Sequence, residues 1–168
     1  MPQDDQQELF YHVDENNQVI GSVTRGEAHT NPDIIHRSVY LFITNSNNQL
    51  LIQQRSFTKD KGPGQWAESV GEHVTYGETY EVAAVRGARE ELGLDLQPTY
   101  RDQGLFILPS QKEYSYIYQA THESNLTNLD TNEIEQVQWV AFDKLTDFIK
   151  IYDCSPGFLQ ALDRVNLY

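Results

Sequence analysis

The stretch that decides the fold runs from Trp66 to Leu94 and reads WAESVGEHVTYGETYEVAAVRGAREELGL. Its second half has helical spacing. Val82, Val85, Ala88 and Leu92 recur at intervals of three and four, Thr79 can cap the start, and Gly93 stands where a helix ends. A helix is therefore predicted over 79–92, dense in carboxylates. Glu90 and Glu91 are adjacent, Arg86 lies four residues before Glu90, and Gly87 lies four before Glu91. Positions four apart share a face, so Arg86 can orient Glu90 while Glu91 projects over a bare patch at Gly87. Glu78 at the entrance and the Glu90–Glu91 pair can gather around one hard divalent cation such as Mg2+, which prefers carboxylate oxygens. An exposed face of ion pairs is the other reading of this helix alone. The first half, with His73 among glycines and glutamates, reads as a loop.

Outward from this stretch, 168 residues suffice for one domain with a substantial core, and the whole of 1–168 is read as a single domain. The balance of 25 acidic to 12 basic side chains gives a formal charge of −13, which repels a nucleic-acid polymer. A small phosphorylated substrate remains compatible where a metal and a few cations reverse the sign locally. No apolar run is long enough for a membrane span, and the polar start MPQDDQQELF is neither a signal peptide nor an anchor. One cysteine, Cys154, excludes an intramolecular disulfide and suits a reducing, cytoplasmic setting.

Short strands are predicted at 10–13, 19–24, 38–44, 49–54, 103–108, 113–120 and 137–142. Helices are expected at 143–149 and from the Ser155-Pro156 cap to about Val165. Many strands with few, unevenly spaced helices point to an α+β fold with a mixed sheet flanked by helices.

Taken as a unit, the opening stretch resembles the Nudix signature G-x5-E-x7-R-E-U-x-E-E-x-G-U over residues 72–94. Glu78, Arg86, Glu90, Glu91, Gly93 and Leu94 fall at the required offsets. Two positions depart: Glu72 replaces the first glycine, and Gly87 replaces the first glutamate of the R-E-U-x-E-E core. The resemblance implies a Nudix fold, a mixed β-sheet sandwiched between helices. It also implies Mg2+ on Glu78, Glu90 and Glu91, with Glu91 the residue that both branches of the family keep.

A closer resemblance, over roughly residues 10–145, is to the branch that includes type I isopentenyl-diphosphate isomerase. EAHTNPDIIHRS carries His29 and His36 seven apart, LLIQQRSFTKDKGPGQW matches a strand, arginine, lysine and Pro-Gly-x-Trp run, and SVGEHVTYGE aligns without a gap. That likeness places His29, His36, His73 and Glu113 on metal ligands, with Gln111 where the family has another glutamate. Three imidazoles and a carboxylate suit Zn2+ or Mn2+ better than Mg2+. It also places Arg25, Arg55 and Lys59 on groups that grip a diphosphate. A third such arginine falls on Gly87 and is missing. The isomerases' proton-transferring cysteine falls on Gly71, which has no proton to give.

The expectation is a divalent-metal-dependent hydrolase of a small nucleoside-linked or other organic diphosphate. Glu90, Glu91, Glu113 and Glu72 are its candidate catalytic carboxylates. A non-catalytic diphosphate binder is the alternative, and an isomerase-like enzyme comes third. Relatives of this fold are often dimers, so a homodimer is compatible.

Overall fold

The computed structural model describes residues 4–167. The elements follow in the order β1 (Leu9–Val13), β2 (Val19–Thr24), α1 (Arg25–Thr30), β3 (Ile35–Thr44), β4 (Gln49–Arg55), β5 (Trp66–Ala67) and β6 (Val70–His73). Then come α2 (Tyr80–Leu92), β7 (Thr99–Ile107), β8 (Lys112–Thr121), β9 (Ile134–Ala141), α3 (Phe142–Ile151) and α4 (Pro156–Val165).

β3 is the organising strand. It pairs along its whole length, in parallel, with β8, from Ile35↔Lys112 to Thr44↔Thr121. Its opposite edge meets three strands in turn, all antiparallel: β1 at Ile35 and His36, β6 from Ser38 to Leu41, and β4 only at Ile43 and Thr44. β4 then leaves β3 and pairs with β9 and β5. The divergence of β4 from β6 opens a cleft in the sheet, and the site lies there.

Alternation along β3 divides its residues between two cores. Tyr40 and Phe42 pack with Phe106, Ile117, Leu145 and Phe148 of α3, and Phe158 and Leu162 of α4. Val39, Leu41 and Ile43 pack with Tyr118 and the inner face of α2. The mixed sheet is thus sandwiched between α2 and the α3–α4 pair, the expected α+β arrangement.

The ends of α2 fall where the sequence places them. Thr79 Oγ1 accepts from the Val82 amide, and Gly93 closes the helix at φ 67°, a conformation that a glycine adopts without strain. The buried face differs from the valine spacing. Val82 is 52% exposed, and the inward ridge is Tyr80, Ala83, Ala84, Gly87, Ala88, Glu91 and Leu92. Alanines and a glycine set that ridge because the helix seats closely on β6: a Cβ at Gly87 would lie 2.8 Å from Val70 Cγ1.

Three elements correct the sequence reading. Residues 66–67 and 70–73, expected as a loop, form β5 and β6, and residues 25–30 form α1. α1 had a legible signal: Thr24 Oγ1 accepts from the Glu27 amide while Glu27 accepts from the Thr24 amide, a capping box. Residues 38–44 and 49–54 pair as expected, although the ladder holds only two rungs.

Candidate functional site

β6 builds the site by placing neighbouring residues on opposite faces. Gly71 and His73 face the α4 side, and Glu72 faces α2. Two cavities result, of about 330 Å3 and 240 Å3, and Arg25, Arg55, Gly71, Glu72 and His73 border both.

On the first side three histidines converge. α1 carries Arg25 and His29 four apart on one face, β3 contributes His36, and β6 contributes His73. One ligand nitrogen from each imidazole lies within 4.8 Å of the others, and His29 Nε2 is 3.1 Å from His73 Nε2. Phe10 stacks on His73 at 4.6 Å and on His36 at 5.5 Å between centroids, which fixes the ring planes. Burial, then the positive neighbours, lowers His36 to about 3 and holds His73 well below the ordinary imidazole value. Both are neutral at pH 7, the state in which an imidazole can offer a lone pair to a cation. Both nitrogens of His36 and Nδ1 of His29 have no hydrogen-bond partner. A borderline divalent metal fits this donor set. His12 and His122 stand outside it.

Glu113 lies beside the cluster, its Oε1 3.8 Å from His36 Nε2. The carboxylate accepts from Ser38 Oγ at 2.7 Å, from the Tyr40 hydroxyl at 3.0 Å and from the Gln111 amide. Ser38 and Tyr40 reach it because β3 and β8 run in parallel register, with His36 opposite Glu113.

On the second side the carboxylates surround Arg86. Its Nε and Nη2 donate to the two oxygens of Glu78 at 2.8 and 2.9 Å, and Nη1 is 3.2 Å from Glu72 and 3.5 Å from Glu90. Partial burial would raise Glu78, but the paired bonds from Arg86 more than reverse it and hold the carboxyl low. Glu91 stands apart, buried, accepting from Gln53 Nε2 at 2.9 Å. Burial and then the Glu72 charge push Glu91 well above the carboxylate range, and burial raises Glu72 to about 7 against the pull of Arg86. Glu78, Glu90 and Glu91 are therefore not gathered around a shared open position: Glu78 is closed on Arg86 and Glu90 is largely exposed. Among the described residues, the histidine trio is the assembled ligand group.

Gly87 is not beneath open space. The side chain of Glu72 runs over it, with Cβ and Cγ 3.3 and 3.4 Å from where a Cβ at 87 would be. Val70 and the methylenes of Glu72 thus crowd the volume that a residue-87 side chain would enter.

The three expected phosphate-gripping cations are all present and engaged. Arg25 Nη2 is 3.0 Å from Asp4 and 3.7 Å from Asp60, and Lys59 Nζ is 2.8 Å from Asp4 and 2.7 Å from Glu133. Arg55 donates twice to the Lys61 carbonyl. Eight carboxylates and four cationic side chains border the second cavity, so a diphosphate needs added positive charge to enter it.

Residues 34–162 match the NUDIX domain family. The chain belongs to the Nudix family. An uncharacterized Nudix hydrolase of Pseudomonas aeruginosa is 29% identical over 157 residues, covering 92% of this chain and 91% of that one. Isopentenyl-diphosphate Delta-isomerase 1 of Photorhabdus laumondii is 42% identical over 82 residues, covering 49% of this chain and about half, 47%, of the isomerase. The crystal structure of DR0079 from Deinococcus radiodurans superposes with a TM-score of 0.82 at 27% identity, covering 94% of this chain and 99% of that one.

Within this Nudix domain two site residues escaped the sequence reading. Asp60 faces His29 and Arg25, and Glu68 is a buried carboxyl raised to about 7 by burial. Glu68 lies just past β5 in a run that is buried at every position from 66 to 69, and no local pattern marked it. Cys154 lies in the α3–α4 core, its thiol raised to about 11 by burial. Among the described residues no helix is long and apolar enough to cross a membrane.

Proposed function

We propose that this Nudix domain is a divalent-metal-dependent pyrophosphohydrolase. Its substrate is a small nucleoside-linked or other organic diphosphate. The observation that carries this reading is Glu72 over Gly87. The position that departs from the family's hydrolases is crossed by the side chain of Glu72 from the facing strand, a carboxylic acid whose charge also acts on Glu91. The Glu72 charge raises the proton affinity of Glu91, and Glu8 and Glu90 add to that of Glu72, a crowding that a cation among these carboxylates would relieve. Glu90, Glu91 and Glu72 would hold Mg2+, with Glu78 acting through Arg86. The histidine trio would take Mn2+ or Zn2+, with Glu113 beside it. When bound, the metal neutralises phosphate charge and makes a water more acidic.

The chain's own residues do the rest. Arg25 and Arg55, bordering both cavities, hold and orient the phosphates, and Lys59 closes the second cavity. Glu72 or Glu91 accepts the proton of the attacking water at a carboxylate oxygen. Glu113, gripped by Ser38, Tyr40 and Gln111, fixes the wall next to His36. Isomerisation by a thiol at position 71 has no support, since Gly71 has none and Glu68 fills that space. A cytoplasmic setting suits the lone buried thiol.

The test is a phosphate-release panel of nucleoside and isoprenoid diphosphates with Mg2+, Mn2+ and Zn2+. Glu91→Gln and Glu72→Gln are expected to lose turnover by at least about a hundredfold with unchanged melting. Full activity in Glu91→Gln would sink the assignment. One observation favours a second reading, a non-catalytic binder: Asp4 sits on both Arg25 and Lys59, where a phosphate would sit. Tight diphosphate binding without turnover under any of the three metals would select it.

A further inference from the structure

The hydrolytic reading leaves Glu68 without a role. Its side chain is 5% exposed, borders the larger cavity, and has no hydrogen-bond partner at Oε2. A second oxygen in the same wall is also unpartnered: Gln111 Oε1, whose amide nitrogen is committed to Glu113. Buried polar atoms are nearly always paired, so two such oxygens bordering one cavity point to donors that arrive with a ligand.

The surrounding residues keep that place open. A Cβ at Gly71 would run into Glu68 Oε1, and a Cβ at Gly157 would run into the Tyr40 hydroxyl. Glu68 therefore has its position only because residue 71 has no side chain. Leu108 and Pro156 give the cavity an apolar flank, but a hydrocarbon chain drawn in there would leave both oxygens buried without donors. A group with several hydroxyls would satisfy them.

We propose that the larger cavity seats the organic half of the substrate, and that Glu68 with Gln111 selects a hydroxylated, sugar-like group over an isoprenoid chain. This rests on the diphosphate reading of the adjoining cavity. Glu68 is a specificity-determining residue, acting by accepting hydrogen bonds and not by transferring protons to the reacting phosphate.

Calorimetric binding of three probes tests it: ADP-ribose, isopentenyl diphosphate and inorganic pyrophosphate, each with Ca2+ in place of the working metal. The wild type should bind ADP-ribose at least about tenfold more tightly than isopentenyl diphosphate, the size of one buried hydrogen bond. Glu68→Leu should lose about that factor for ADP-ribose, gain for isopentenyl diphosphate and leave pyrophosphate unchanged. Glu68→Gln keeps an acceptor and should stay within a few-fold of the wild type on all three. Gly71→Ala, which keeps the carboxyl but pushes it from its position, should reproduce the loss for ADP-ribose. An unchanged ADP-ribose affinity in Glu68→Leu and Gly71→Ala overturns the proposal, as does a wild-type preference for isopentenyl diphosphate. If pyrophosphate fails to bind the wild type, the diphosphate reading itself falls and takes this one with it.

Discussion

Replacing Gly87 by alanine sets two effects of opposite sign against each other. Alanine in a helix interior is worth roughly 1 kcal/mol over glycine, so propensity alone predicts a more stable protein. The new methyl would lie 2.8 Å from Val70 Cγ1 and 3.3 Å from Glu72 Cβ. Val70 is fully buried and β-branched, so it has no alternative rotamer to retreat into. Overpacking of this kind costs about 1–3 kcal/mol. The expected net is a loss of about 1 kcal/mol, or roughly 3 °C in melting temperature for a domain of this size. Val70→Ala, which by itself should cost about 2 kcal/mol, removes the clash. In that background Gly87→Ala should become stabilising by about 1 kcal/mol. Urea unfolding of the four proteins measures the coupling directly, and about 1–3 kcal/mol is expected. If Gly87→Ala stabilises the wild type and the two changes simply add, close seating is not why residue 87 is glycine.

Four further outcomes follow from the buried titratable groups. In metal-free protein, Glu68 titrates near 7 when folded and near 4.5 when unfolded, so the folded chain holds the extra proton between those values. Stability should therefore fall as pH rises from about 4.5 through about 7, by roughly 3 kcal/mol from this group, and Glu68→Gln should flatten that fall in pH-resolved urea melts. His36 acts in the opposite sense: at about 3 folded against 6.5 unfolded, it should erode stability as pH drops below about 6.5, and His36→Ala should shallow that acid limb, to which His73 also contributes. Cys154, its thiol raised by burial, should react with a thiol reagent at pH 8 only as fast as the protein opens, so urea should accelerate labelling sharply. His29→Ala and His36→Ala should each weaken Zn2+ binding by calorimetry by more than the roughly tenfold loss that accompanies removal of an outer-shell partner.

Much of the fold was legible because its signals are local. Thr79 and Gly93 mark the ends of α2, Ser155-Pro156 opens α4, and the alternating strands read as strands. The face of α2 was misread because two valines outweighed a ridge of alanine and glycine. Small residues mark a close helix–sheet contact only when the facing strand is known. That strand, β6, was itself invisible. VGEH is four residues long, and half of its pattern is a glycine and a histidine whose inward aim is set by pairing with Tyr40 and Ser38. Long-range pairing leaves no local period to read.

This strand also explains how the two expected ligand sets are kept apart. Glu72 and His73 are neighbours in a strand and face opposite ways, so the carboxylates separate from the imidazoles with Arg25 and Arg55 bordering both sides. Both of the glycines that break the resemblance then have the same physical account. At Gly71 the missing side chain's volume holds the carboxyl of Glu68, and at Gly87 it is closed by Val70 and the stem of Glu72. Each absence is matched by an acidic side chain from a nearby residue lying against the same space. Neither glycine leaves a hole: a side chain at 71 must displace the Glu68 carboxyl, and one at 87 must push on Val70 and on the stem of Glu72.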